Sequence, residues 1–151
     1  MPTKEFVMRG KTASGEYHTI NFSGFKGDYA FRLMEFEIYP SQAIGNQAYE
    51  LAATVTAAKV FEDPEHPNYD HEGLIATAFL ANSSTPTYTS AVLNRVVNDT
   101  FLITQDLILA VIDTQAGDPM SVNWQVKFKP VKMSSTELAN ANYRQFSIFD
   151  D

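Results

Sequence analysis

Eleven consecutive residues, Glu62-Asp63-Pro64-Glu65-His66-Pro67-Asn68-Tyr69-Asp70-His71-Glu72, hold five of the chain's 18 acids, two of its three histidines and no base. Carboxylates and imidazoles are the ligand types that hold Ca²⁺ and Zn²⁺. The spacing argues against a dedicated metal site. A calcium loop of the EF-hand type needs glycine at its sixth position and glutamate at its twelfth, and this stretch carries Pro64 and Pro67 instead. Pro67 also breaks any helix that would align His66 with His71. The expectation is a mobile, solvated connection, Glu62–Glu72, whose charges discourage edge-to-edge strand pairing. No metal and no other cofactor is expected.

Three catalytic patterns can be tested in the same way. Val111-Ile112-Asp113-Thr114-Gln115-Ala116-Gly117 looks like the aspartic-protease signature, a hydrophobic pair before Asp-Thr-Gly. Gln115 stands where the glycine belongs, and a dimer would have to supply the second carboxylate; a strand end entering a turn is the plainer account. No Gly-x-Ser-x-Gly elbow is present for a serine hydrolase, and His18 sits in a strand pattern with Ile20 and Phe22 on its face. Glu35 and Glu37 lie on one strand face about 7 Å apart, inside the range of inverting glycosidases, yet charges alternating along a strand are commonly just its wet side. Tyr17, Tyr29, Tyr39, Tyr49, Tyr69, Tyr88 and Trp124 could stack on a sugar, but Trp124 falls on the core side of its strand. No catalytic residue is assigned, and the chain is expected not to be an enzyme.

The elements that would hold these residues are mostly strands. Of the 151 residues, Val, Ile and Thr make up 31 and the aromatics 19, against only 9 Leu; that is the strand-favouring set. There is no cysteine, which removes disulfides, thiolate-bound zinc, iron–sulfur clusters and thiol nucleophiles. Eleven bases against 18 acids give a net charge of −7, the wrong sign for a binder of phosphate backbones. The longest apolar run, Leu107–Ile112, is too short to cross a membrane. The first residues lack the apolar stretch of a signal peptide, so the sequons at Asn82 and Asn98 are read as chance.

Strands are expected at Lys4–Arg9, closed by Gly10, then at Glu16–Phe22, Tyr29–Tyr39, Tyr49–Phe61, Gly73–Asn82 and, ambiguously, Ala91–Val97. Thr100–Ile112 follows, with a break at Gln105-Asp106. Ser121–Val131 is the cleanest: Val122, Trp124, Val126 and Phe128 alternate with polar residues, so one face is core and the other wet. Within Tyr29–Tyr39 the apolar parity slips by one residue, Tyr29, Phe31 and Leu33 giving way to Met34, Phe36 and Ile38. Such a slip is the mark of a β-bulge. Ser134-Ser135-Thr136-Glu137 is a capping box opening one short helix near Ser135–Tyr143. The expected fold is all-β: a single domain over residues 1–151, an antiparallel, jelly-roll-like β-sandwich with one short C-terminal helix. Phe6, Val7 and Met8 at one end, and Phe146, Ile148 and Phe149 at the other, are apolar clusters that either complete this sandwich or act as arms (1–9 and 145–151) docking on a partner.

Taken together, several segments carry a family likeness. They are Arg32–Ile38, Glu50–Ala57, Asp70–Ala76, Asn98–Thr104, the turn from Asp113-Thr114 to Gly117, Val122–Val126, and Val131–Ser134 leading into Thr136-Glu137. The pattern resembles small β-rich virion proteins of tailed bacteriophages, especially marine ones, over residues 28–140. The resemblance implies a non-enzymatic structural role, first of all a head decoration (cement) protein on the capsid surface. Its partners would be the major capsid protein and copies of itself as a homo-oligomer, with no nucleic acid and no membrane. A carbohydrate- or receptor-binding sandwich, on a tail or secreted, is the alternative.

Overall fold

The computed structural model describes residues 4–22, 29–41, 49–57, 63–82, 92–114, 119–134, 136–141 and 143. Eight strands lie among them: β1 (Phe6–Thr12), β2 (Tyr17–Ile20), β3 (Tyr29–Pro40), β4 (Tyr49–Thr56), β5 (Leu74–Asn82), β6 (Val92–Val97), β7 (Leu107–Asp113) and β8 (Val122–Lys132). They form a three-stranded sheet, β1-β8-β3, and a five-stranded sheet, β2-β7-β4-β5-β6, with every pairing antiparallel. The two pack on one hydrophobic core, which makes the protein an all-β sandwich. The chain switches sheet between β1 and β2, β2 and β3, β3 and β4, and again between β7 and β8. The three-stranded sheet is therefore assembled from segments distant in sequence, whereas β4, β5 and β6 follow one another in the five-stranded one.

The alternating strand becomes β8, the centre of the three-stranded sheet. Val122, Trp124, Val126 and Phe128 are buried, and the residues between them are half-exposed. Trp124 lies opposite Gly10 on β1 and Ile38 on β3. Its indole crosses over Gly10, where a Cβ would sit 2.7 Å from Trp124 Cζ2. Beyond Gly10 the indole Nε1–H donates to Thr12 Oγ1 at 2.9 Å, and the ring centroid stands 5.2 Å from that of His18 on β2. A buried indole needs such a partner for its N–H. One side chain on the three-stranded sheet thus reaches a strand of the other sheet.

This explains one departure from expectation. Gly10 was expected to close the first strand; instead β1 runs through it to Thr12. The glycine marks a close approach from the neighbouring strand rather than a turn. The other end of the core is a cluster of phenylalanines. Phe22 packs against Phe31 and Phe128 with centroids 4.9 Å apart in each case, and Phe6 stands 5.7 Å from both Phe31 and Phe128.

The parity slip in β3 is a register shift between Leu33 and Glu35. It lets Phe31 and Leu33 before it, and Phe36 and Ile38 after it, all face the core. The expected Thr100–Ile112 strand is two pieces. Ile103 makes an isolated bridge to Phe31, with N···O distances of 2.7 and 2.9 Å, and β7 begins only at Leu107. Between them Asp106 turns its carboxylate on Phe22 N at 2.7 Å, which takes the chain out of the ladder. β4 ends at Thr56, and residues 58–61 of the expected Tyr49–Phe61 strand lie outside the described residues. Ala91–Val97 resolves as the strand β6.

The capping box forms as its sequence implies. Glu137 N donates to Ser134 Oγ at 3.2 Å, and that hydroxyl donates to Glu137 Oε1 at 3.1 Å. Leu138 N donates to Ser134 O at 2.9 Å, the first helical hydrogen bond, and residues 136–141 are α-helical.

The contact between Trp124 and Gly10 sets an expectation for chemical denaturation. Trp124→Ala should cost about 3–5 kcal/mol through the cavity it leaves. Gly10→Ala should cost about 1–3 kcal/mol by overpacking, and that cost should largely vanish in the Trp124→Ala background. Equal costs in the two backgrounds would mean that the indole does not lie over residue 10.

Candidate functional site

Asp113, the residue nearest in pattern to a catalytic aspartate, ends β7 and is buried. Its Oδ1 accepts from Glu50 N at 3.1 Å and its Oδ2 from Met120 N at 3.0 Å. Its own N–H donates to Ser14 Oγ at 2.8 Å. Thr114 N–H donates to Glu50 O at 2.9 Å, and its hydroxyl reaches Glu50 Oε2 at 2.7 Å. The carboxylate therefore joins the start of β4, the end of β7 and the approach to β8. Both of its oxygens are engaged by backbone amides. His18 is likewise engaged with the Trp124 ring at the rim of the core.

The acidic segment is more structured than a plain solvated tether. Asp63 Oδ1 accepts from Glu65 N at 2.9 Å, and its Oδ2 lies 3.2 Å from His66 Nδ1. These contacts, the Glu65 amide above all, hold the Asp63 carboxyl below the usual aspartate range. Asn68 Oδ1 accepts from Asp70 N at 3.0 Å, and Gly73 N donates to His71 Nδ1 at 3.0 Å. Side chains that bond the backbone two residues on are the signature of Asx-type turns. The segment lies as a strap across the outer face of the five-stranded sheet. Pro64 is buried, Tyr69 OH bonds Thr77 Oγ1 at 2.8 Å, and a cleft of about 360 Å³ between strap and sheet is lined by Tyr17, Pro64, Glu65, Ala110 and Ile112. Such a cover accounts for β4, whose outward Ala52, Thr54 and Thr56 are as buried as its inward residues. Among the described residues, no three carboxylate or imidazole side chains converge as a metal site would need. Glu62 lies outside the described residues.

Glu35 and Glu37 do share the outer face of β3, opposite Lys127 and Gln125 of β8. Glu37 is ion-paired with Arg95 of β6, which ties the edges of the two sheets together. The aromatics divide. Tyr49 and Trp124 are buried, whereas Tyr17, Tyr39 and Tyr69 are each more than half exposed. Burial raises the Tyr49 phenol above its usual range, opposed by its hydrogen bond with Asn82. Tyr39 lies on the three-stranded sheet, whereas Tyr17 and Tyr69 flank the five-stranded one, so these three rings form no single platform; Tyr88 lies outside the described residues.

Of the expected contact residues, Phe6 and Met8 pack on the chain's own core. Val7 faces outward and is 44% exposed, and β1 as a whole pairs with β8. Phe146, Ile148 and Phe149 lie outside the described residues. Val7 belongs to a face that the sequence reasoning did not single out. Arg9 and Lys11 on β1, Asn123 and Gln125 on β8, and Glu37 and Tyr39 on β3 line an open depression of about 600 Å³ on the outside of the three-stranded sheet. Lys127 and Lys129 continue it along β8. The signal was available: Arg9 and Lys11, like Lys127 and Lys129, are spaced two apart on strands, which puts each pair on one face.

Compared with protein-family models and with curated protein sequences, the chain matches none.

Two outcomes follow from the carboxylates. Asp113→Ala should destabilise by about 2–4 kcal/mol, because two amides lose their acceptor; denaturation that shifts by under about 0.5 kcal/mol would refute the tie. Asp63 has a lowered folded-state pKa, so its stabilisation is present above the ordinary aspartate range and is lost as pH falls through the folded value. Carboxyl-carbon NMR should show Asp63 titrating below the ordinary aspartate range, and a titration above that range would contradict the turn.

Proposed function

We propose that the protein is a non-enzymatic structural component of a bacteriophage virion, a decoration or cement protein bound in many copies to the head surface. The observation that supports this reading most is how the chemically capable side chains are used. Asp113 holds backbone amides, Glu37 an arginine and His18 the indole ring, while Val7, Arg9, Lys11, Tyr39 and Lys129 on the outer face of the three-stranded sheet are exposed among the described residues. A rigid sandwich with open faces suits a partner that presents a repeating surface. The sequence resemblance points the same way, with the major capsid protein and further copies of the chain as partners on the capsid surface.

The exposed Tyr17, Tyr39 and Tyr69 favour a second reading, a carbohydrate- or receptor-binding module. A glycan-dependent rise in melting temperature, lost in Tyr39→Ala, would support it over the first.

The structural reading is tested on purified virions by quantitative mass spectrometry. The chain should be present in a fixed ratio near that of the major capsid protein; a few copies per particle, or none, would overturn it. Val7→Asp, on the exposed face, should leave the melting temperature within about 2 °C, as surface changes usually do, and lower particle occupancy. Phe6→Ala should instead lower stability by about 3–5 kcal/mol. Full occupancy with Val7→Asp would remove β1 from the capsid contact.

A further inference from the structure

The two outer faces of the sandwich carry opposite charge. On the three-stranded sheet, Arg9, Lys11, Lys127 and Lys129 point outward beside Val7 and Tyr39. Glu5, Glu35 and Glu37 are the acids described on that face; Glu5 is paired with Lys127 at 3.3 Å and Glu37 with Arg95, which leaves Arg9, Lys11 and Lys129 to set its sign. On the five-stranded side the strap presents Asp63, Glu65, Asp70 and Glu72, all exposed, and Glu50 stands at the start of β4. Among the described residues of that sheet and strap, Arg95 is the one Lys or Arg, and it is turned to the sandwich edge by Glu37. Next to the acids lies an apolar patch. Tyr69 is 62% exposed, Val96 51% and Phe79 37%; they surround Thr77, which bonds Tyr69 and lies opposite Val96.

We infer that this chain associates with a second copy of itself head to tail, the basic outer face of one three-stranded sheet seating on the acidic strap and apolar patch of the next. Each face offers what the other lacks. Lysines and an arginine ring Val7 and Tyr39 on one, and carboxylates flank Tyr69, Phe79 and Val96 on the other. Complementary charge of this kind selects the partner and its register, and the apolar centres supply the area that leaves water. Because the faces lie on opposite sides of the sandwich, the contact is heterologous. It cannot close as a two-fold dimer and must build a ring or an open chain. The inference does not depend on the particle. If the chain proves absent from virions and still associates in this way, only the virion reading falls.

The test is sedimentation velocity of the purified full chain, with Lys11→Glu/Lys129→Glu and Glu65→Lys/Asp70→Lys as variants. All four residues are exposed; Arg9→Glu replaces the first double variant, and Glu72→Lys the second, if that one melts early. The wild type should form species larger than dimers, weakening at least about tenfold between ~50 mM and ~500 mM salt as screening shortens. Each variant alone should stop at small species. Their equimolar mixture should restore the large ones, because each reversed face then meets its reversed partner. A wild type that stays monomeric or stops at a dimer, association indifferent to either variant, or a mixture that fails to restore it would each overturn the inference.

Discussion

Trp124 can reach Thr12 and His18 only because the residue opposite it on β1 has no side chain. A methyl at Gly10 would meet the indole at 2.7 Å. A strand-interior glycine is ordinarily worth about 0.5–1 kcal/mol less than alanine, and here it makes room for the largest side chain in the protein. From that one fit the rest of the three-stranded sheet follows. β1 is held in register by Gly10 against Trp124, so Phe6 and Met8 fall inward and Val7, Arg9 and Lys11 fall outward. β3 is held on the other side of β8, and its bulge restores the inward parity that Phe36 and Ile38 need. The indole N–H finds Thr12, and the ring edge finds β2, so the same residue sets the spacing between sheets.

Acidic side chains solve the complementary problem, which is how strands that keep switching sheets end without orphaned amides. Asp106 accepts from Phe22 N, Asp113 from Glu50 N and Met120 N, and Asp63 from Glu65 N. Buried or turn amides left without an acceptor cost about 1–3 kcal/mol each. Part of the chain's acidity is thus architecture at strand ends. The remainder, on the strap, is exposed surface charge, with no Lys or Arg among the described residues of the strap.

The period-two pattern of β8, the parity slip in β3 and the capping box at Ser134 were legible because each is a local signal with one physical cause. The role of Gly10 was not, because a glycine between strand-like residues reads equally as a stop or as room for a neighbour, and the neighbour is 114 positions away in sequence. The break at residues 104–106 was visible as Gln105-Asp106, but its reason, the Phe22 amide, is non-local. The strap over β4 was hidden for a similar cause. Ala52, Thr54 and Thr56 look like an exposed face until something lies on them. Asp113 was legible as a strand end, where β7 stops, but only its partners show that its carboxylate serves the backbone.

Sites and faces follow from this arrangement, and all of them depend on Trp124 being locked between the sheets. Native-state hydrogen exchange of the Trp124 indole N–H measures that lock directly. Sealed by Thr12 and lying over Gly10, this proton should exchange only when the whole domain unfolds, with the same free energy and denaturant slope as the core amides of β4 and β7. Exchange at a much lower free energy, independent of denaturant, would show that the indole opens locally and does not join the two sheets.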